Sequence, residues 1–388
     1  MLARARDIEA RMSAWRRDFH QHPELGFQET RTAARVAEML HNLGCRVRTG
    51  VGRSGVVGEL GQGKPVMALR ADMDALPIQE TNEVPYVSQV PGVMHACGHD
   101  AHTAILLGVA ALLAQEDFLG TVRFLFQPAE EIADEENMSG AMRMIQDGAM
   151  QDVDMVLALH VDAGTPVGDI RIESGPFSGG VDTFYASIMG LGGHGARPHE
   201  AVDPIYLTGH VLLALHGIVS RRLDPFAPAV ISIGTIHGGQ ADNIIPEQVD
   251  LTGTIRFTEP EIQQQIHAEI EQALQVAHTL GGDYSLRFEI GTPPMINHPS
   301  AVELVMEVGA DLLGQEHVLP RRTGLGAEDF GCLSELAPGA MFNLGCLIED
   351  DERSHHNPRF DVDERCLPIG AAVLTESTLR YLRNHREE

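Results

Sequence analysis

Apolar residues recur along this chain with two different periods, and the changes from one to the other mark out its architecture. Residues 1–43 carry an apolar residue every three to four positions, the spacing of a helix face, interrupted at His22-Pro23. Short continuous apolar runs at 66–69, 122–126, 156–159 and 341–344 suit strands buried on both faces. Between the first two, residues 101–113 are apolar with helical spacing, and Asp100 stands where an N-cap would. Strand and helix alternating in this way predict an α/β layer, a mixed sheet flanked by helices.

A different order fills the middle of the chain: strand 183–189, helix 204–221, strands 230–236 and 249–257, helix 259–280, strand 284–290. That βαββαβ succession is the ferredoxin-like split unit. Stretches rich in Gly and Pro bound it, at 175–180 and at 291–294. The expected organisation is one discontinuous α/β domain, residues 1–180 and 293–388, carrying an inserted ferredoxin-like α+β domain at 181–292. No repeat and no low-complexity tract competes with that reading.

Length and charge narrow the function. At 388 residues the chain is long enough for two domains. Its 28 Lys plus Arg against 55 Asp plus Glu give a formal charge of −27, a field that repels phosphate backbones and anionic membranes. Nucleic acid and membrane partners are therefore not expected. No apolar run approaches the roughly 20 residues of a membrane span, and residues 1–20 lack a signal-peptide core, so the expected location is cytoplasmic. The five cysteines are odd in number, scattered and without CxxC spacing, which argues against a disulfide framework. Only Cys97, set among histidines, looks chemical.

Four of the strand-like runs lead into residues able to hold metal or move protons. They are followed by Arg70-Ala-Asp-Met-Asp74, by Gln127-Pro-Ala-Glu-Glu131, by His160, and by a loop containing His355 and His356. Ligands of open α/β sheets gather beyond the carboxyl ends of strands, so these groups should converge. A fifth piece, Met94-His-Ala-Cys-Gly-His-Asp-Ala-His102, combines a thiol, imidazoles and a carboxylate, the donor set of Zn²⁺ and neighbouring transition ions. Any one of these residues alone is more often a solvated turn or a hydrogen-bonded histidine; their joint occurrence points to a metal site. Adjacent Glu130 and Glu131 point to opposite sides of an extended backbone. The natural division gives one to the metal and one to the substrate water as a proton carrier. Gly190-Leu-Gly-Gly-His-Gly195 fits GxGxxG spacing, but Pro198 and Pro204 keep a helix from following directly. No GxSxG elbow is present.

Arg70-Ala-Asp-Met-Asp-Ala-Leu-Pro77, the 94–102 cluster, Gln127-Pro-Ala-Glu-Glu131, Gly192-Gly-His-Gly-Ala-Arg-Pro-His199 and Gly326-Ala-Glu-Asp-Phe330 stand together in one order. In that order the chain resembles the M20 metallopeptidase family, in its amidohydrolase branch of hippurate, N-acyl-amino-acid and auxin-conjugate hydrolases. The resemblance implies a homodimer or higher homo-oligomer with two divalent ions per subunit; the Cys97 thiol favours Zn²⁺, Co²⁺ or Ni²⁺, and oxygen and nitrogen donors would also accept Mn²⁺. It implies Cys97, His99, Glu131, His160 and His356 as metal ligands, and Asp74 as an acid beside the centre. Glu130 would be the base that activates a metal-bound water and then protonates the leaving amine. His356 is preferred to His355 because it directly precedes Asn357-Pro-Arg-Phe-Asp361. The inserted unit resembles the family's lid and dimerisation domain. There His194 matches an oxyanion-stabilising histidine, and Asn243 and Arg256 are candidates for the substrate carboxylate. The implied activity is hydrolysis of the amide bond of N-acyl amino acids. The alternatives are a dipeptidase or carboxypeptidase of the same family, or a non-catalytic small-molecule-binding relative. One departure bears on substrate choice: an acidic stretch at 132–137 replaces the short Gly-rich turn that usually follows the paired glutamates.

Overall fold

The computed structural model describes residues 1–321, 324–348 and 353–385. The chain divides into two compact units, Met1–Phe177 with Ile296–Arg322 and Asp329–Glu388, and Ser178–Met295 with Thr323–Glu328.

The first unit opens with helices α1 (Leu2–Asp7), α2 (Glu9–Gln21) and α3 (Thr30–Asn42). The antiparallel pair β1 (Arg46–Val51) and β2 (Gly55–Gln62) follows. Then come β3 (Val66–Asp72), α4 (His99–Leu113), β4 (Gly120–Gln127), α5 (Gly140–Gln146) and β5 (Met155–Pro166). In the sheet, β3 lies between β4 and β5, parallel to both, and strand Gly339–Leu347 adds parallel to β5. On the other side β2 joins β4 antiparallel, so the sheet is mixed. All seven residues of β3 are buried, as its unbroken apolar start requires of a central strand.

Helix α4 is buried along its whole length and packs with α2 and with helix Leu367–Asn384. A helix apolar on every side belongs in the middle of a core. Its N-terminus differs from the expectation that Asp100 caps it. The cap is Gly98 at φ +94°, and His99 and Asp100 are already helical. Gly98 is dictated twice, by the left-handed φ and because a Cβ there would lie 2.3 Å from Val161 Cγ2. Asp100, freed from capping, accepts from Arg16 Nε and pairs with His20 Nδ1, each at 2.7 Å. Similarly, β5 does not end at His160 but runs on to Pro166, so His160 projects from mid-strand.

Beneath the carboxyl ends of β3 and β4 lies the guanidinium of Arg70, fully buried. It donates to Asp72 Oδ2 (2.7 Å), to Gln127 Oε1 (2.9 Å) and to Asp329 Oδ1 (2.9 Å). Asp72 in turn takes His102 Nδ1–H at 2.6 Å, and His102 Nε2 accepts the Val161 N–H at 3.0 Å. One continuous chain of charge-assisted bonds thus ties β3, β4, β5 and α4 together.

The second unit is a four-stranded antiparallel sheet, Gly180–Met189, Ala229–Gly238, Gln248–Phe257 and Asp283–Ile290, with helices packed on one face. Helix Pro204–Arg221 has the bounds its sequence predicts. Asp203 caps it through the N–H groups of Ile205 and Tyr206, and Pro204 sits in its first turn. The second helix is shorter than expected, Pro260–Leu274 followed by a separate turn Val276–Thr279. Residues 324–328 also belong to this unit: Gly179 N–H donates to Gly326 O at 2.9 Å.

Arg70→Leu should strand the Asp72 and Asp329 carboxylates and lower stability by about 3–5 kcal/mol. Guanidinium unfolding followed by circular dichroism measures this; a change under about 1 kcal/mol would remove Arg70 from its structural role.

Candidate metal centre

Three loops and one strand bring acids, imidazoles and a thiol to the carboxyl edge of β3, β4 and β5. Cys97 precedes the α4 cap and His99 opens the helix, so both are aimed by the Gly98 turn. His160 comes from β5, Glu130 and Glu131 follow β4, and His356 follows strand Gly339–Leu347. The donor atoms fall into overlapping groups within 4.8 Å: Cys97, His99 and His160; Cys97, Glu131 and His356; His99, Glu130 and Glu131. Cys97, His99 and Glu131 each belong to two of them, the overlap expected where two ions lie side by side.

Hydrogen bonds from behind set which atom of each ligand faces inward. His160 Nδ1–H donates to Val161 O at 2.7 Å, leaving Nε2 3.5 Å from Cys97 Sγ. His99 Nδ1 contacts Asp74 O at 2.9 Å and Asp74 Oδ1 at 3.2 Å, leaving Nε2 inward. This carboxylate–imidazole pairing is how metal-binding histidines are oriented. Asp74 Oδ2 also accepts the Glu131 N–H at 3.0 Å, so it orients two candidate ligands rather than facing the pocket as a third. His102 uses both ring nitrogens, on Asp72 and on Val161, and belongs to the frame beneath.

The electrostatics call for a cation. His99 Nε2 and Glu131 Oε1 are buried and have no partner with hydrogen-bond geometry. Glu131 Oε1 lies 4.0 Å from His99 Nε2 and 3.2 Å from His356 Nε2. Burial opposes the charged form of His99, yet Asp72 and Asp74 outweigh it and raise its pKa well above the imidazole range. A pocket that holds a proton so firmly is electronegative enough to hold a divalent ion in its place. Burial pushes the Cys97 thiol up to about 12, so only a cation beside it would make it a thiolate ligand. Burial and the neighbouring His102 and His355 hold His160 well below the imidazole range, leaving it neutral as ligation requires.

The profile of peptidase family M20/M25/M40 matches residues 68–380. The chain belongs to this family. Among its relatives is the N-acetyl-L-cysteine deacetylase of Bacillus subtilis, 35% identical over 98% of this chain and 90% of that protein. Another is thermostable carboxypeptidase 2 of Saccharolobus solfataricus, 39% identical over 94% of each. The crystal structure of the YXEP protein of Bacillus subtilis, described as a dinuclear metal binding peptidase from the M20 family, superposes with a TM-score of 0.86. It is 32% identical over 97% of this chain and 99% of that one.

Within the M20 fold, both histidines at 355–356 approach the centre. His355 Nδ1 is 3.8 Å from Cys97 Sγ and its ring lies over Phe360, whereas His356 shares a donor group with Cys97 and Glu131. The acidic stretch after the paired glutamates is neutralised by its own neighbours. Asp134 takes Arg143 at 2.6 Å and Arg53 at 2.7 Å, Glu135 pairs with Arg53, and Glu136 pairs with Arg143. Beside these paired acids Ile132 is half exposed.

The second unit carries the remaining candidates. Gly193–His194 and Ile244–Ile245 form a two-stranded ribbon in which His194 faces Ile244, and Gly195 N–H donates to Asn243 O at 2.9 Å, so His194 and Asn243 are neighbours. Arg256 lies opposite Val181, near the other end of strand Gln248–Phe257, roughly 26 Å from Gln248 at 3.3 Å per residue. Its guanidinium is half-buried, burial lowers its pKa, and it has no carboxylate partner among the described residues.

Asp100 gives a pH prediction. Burial would raise its pKa, but Arg16 and His20 hold it well below the carboxylate range. Its contribution is therefore fully present above the unfolded pKa of about 4 and is lost as pH falls further. The gap in melting temperature between wild type and Asp100→Asn should be widest near neutrality and narrow progressively as pH falls below about 4; a constant gap would contradict the pairing.

Proposed function

We propose that this chain hydrolyses the amide bond of N-acyl amino acids, with two divalent ions per subunit held by Cys97, His99, Glu131, His160 and His356. The observation that carries the reading is Glu130: it shares a donor group with His99 and Glu131, beside Asp74, which orients those same two residues. What a pair of divalent ions supplies in such a place is polarisation of the carbonyl and acidification of water. Glu130 takes the proton of the attacking water and returns it to the leaving amine nitrogen. The thiol donor suits Zn²⁺, Co²⁺ or Ni²⁺, and the oxygen and imidazole donors also accept Mn²⁺. The N-acetyl-L-cysteine deacetylase relative supports an N-acylated amino acid as substrate.

His194 is proposed to stabilise the oxyanion. Ala196 N–H donates to its Nδ1 at 3.1 Å, which leaves Nε2–H as the free donor. Asn243 and Arg256 are proposed for the substrate carboxylate; Asn243 precedes the ribbon strand Ile244–Ile245 and Arg256 lies near the far end of strand Gln248–Phe257, which suits contributions from two subunits. Cys45, Cys97, Cys346 and Cys366 are buried free thiols, and no helix among the described residues is long and apolar enough to cross a membrane; both fit the proposed cytoplasmic setting. The carboxypeptidase relative keeps peptides in the substrate panel.

Amine release from N-acetyl and N-benzoyl amino acids and dipeptides, after loading with Zn²⁺ or Mn²⁺, tests the reaction. Glu130→Gln should keep its metal and lose at least about 100-fold in kcat. Undiminished turnover in the variant, or a loaded wild type that cleaves nothing in the panel, would refute it.

The proposed homodimer uses the second unit, where helix Pro204–Arg221 exposes Tyr206 and Leu213 and edge strand Ala229–Gly238 exposes Val230 and Ile236. Sedimentation should show a dimer that Leu213→Glu converts to monomer; a wild-type monomer would rule the dimer out.

A further inference from the structure

The turn at residues 24–29 braces both loops that carry the acids of the centre. Ala75 N–H donates to Glu24 O at 2.8 Å, and Leu25 bridges to Ala75, directly after Asp74. On the other side Gly26 packs so closely on Ile132 that a Cβ would lie 2.7 Å from its side chain. The turn ends in Glu29, whose side chain is fully buried. One carboxylate oxygen accepts the Ala129 N–H at 2.8 Å and the other accepts Ser54 Oγ–H at 2.5 Å.

This carboxylate does not serve the helix it precedes. Glu29 occupies the N-cap position of α3, yet it makes no cap bond. Glu24 caps that helix instead, accepting the N–H groups of Arg31 at 3.0 Å and Thr32 at 2.8 Å. No Lys, Arg or His pairs with Glu29 among the described residues, and burial pushes its carboxyl up to about 7. A buried acid without a counter-charge is costly, and such groups concentrate at functional sites.

What it holds is the residue before Glu130. Ala129 has φ +44°, in the left-handed region that a non-glycine residue enters only when held there. Its carbonyl accepts the Gly140 N–H at 2.9 Å, and its N–H is the one Glu29 takes. On the far side of Glu130, the Glu131 N–H goes to Asp74. The backbone of Glu130 is thus pinned by a buried carboxylate at each neighbour.

We propose that Glu29 is a positioning residue for the Glu130–Glu131 pair: by holding the Ala129 amide it fixes the left-handed turn that sends one glutamate to the substrate water and the other to the ions. The inference rests on the hydrolase reading above for what the pair does, and on the hydrogen bonds alone for how the pair is held.

The test compares Glu29→Ala and Glu29→Gln with wild type in three readouts: titration of the metal-free protein with Zn²⁺, hydrogen exchange of the 127–132 peptide, and kcat and KM on the best substrate of the panel. Glu29→Ala should weaken metal binding and lower kcat, each about 10–100-fold, with KM little changed and exchange faster in that peptide. Glu29→Gln still offers an oxygen to Ala129 and should stay near wild type. Ser54→Ala, which loosens the carboxylate without emptying its site, should move the same readouts by less, and supplies the comparison if Glu29→Ala fails to fold. Glu29→Ala with wild-type metal affinity and exchange, or Glu29→Gln impaired as badly as Glu29→Ala, would overturn the proposal. If the wild type cleaves no substrate, the hydrolase reading falls while the titration and exchange still decide what Glu29 does.

Discussion

Everything at this site hangs on a guanidinium placed where no water reaches. Arg70 binds Asp72, Gln127 and Asp329 at once, and through them fixes the carboxyl ends of β3 and β4 and, by way of His102, the strand that presents His160. A buried ion network of this sort is worth little over a well-packed apolar core, but it is unforgiving of a missing member. That asymmetry suits a site where five candidate ligands must meet from three loops and a strand. The network trades stability for a single arrangement.

A second network does the same for the helix N-terminus. Arg16 and His20 on α2 hold Asp100, Arg16 also reaches Asp361 at 2.7 Å, and Tyr86 closes the ring on Asp361 at 3.0 Å. Asp100 is thereby neutralised away from the pocket, whereas Glu131 turns a buried Oε1 without a hydrogen-bond partner toward His99 and His356. An acid satisfied by arginine offers nothing to a cation, and an acid left without a hydrogen-bond donor does.

Much of this was legible in the sequence, and the reasons for the rest are local. Helix Pro204–Arg221 carries its own start signal in Asp203-Pro204, so its bounds are readable. The central strands are apolar on both faces and stand out, whereas β1, a mostly exposed edge strand with Arg46 and Arg48 around Val47, does not. Asp100 is a good cap by type, and only Val161, distant in sequence, shows that the turn at the start of α4 belongs to Gly98. The ligand types were readable from clustering, but not the division of Asp74 and His102 from the ligands, which depends on which nitrogen or oxygen faces the pocket. Glu29 left no signal at all: a glutamate before a helix looks like a cap, and its partner is 100 positions away.

The most direct measurement of the central claim is anomalous diffraction at the metal edge from crystals of the loaded protein. The account predicts two peaks, about 3.5–4 Å apart, both within bonding distance of Cys97 or Glu131. A single peak, or a pair bound away from these residues, would contradict it.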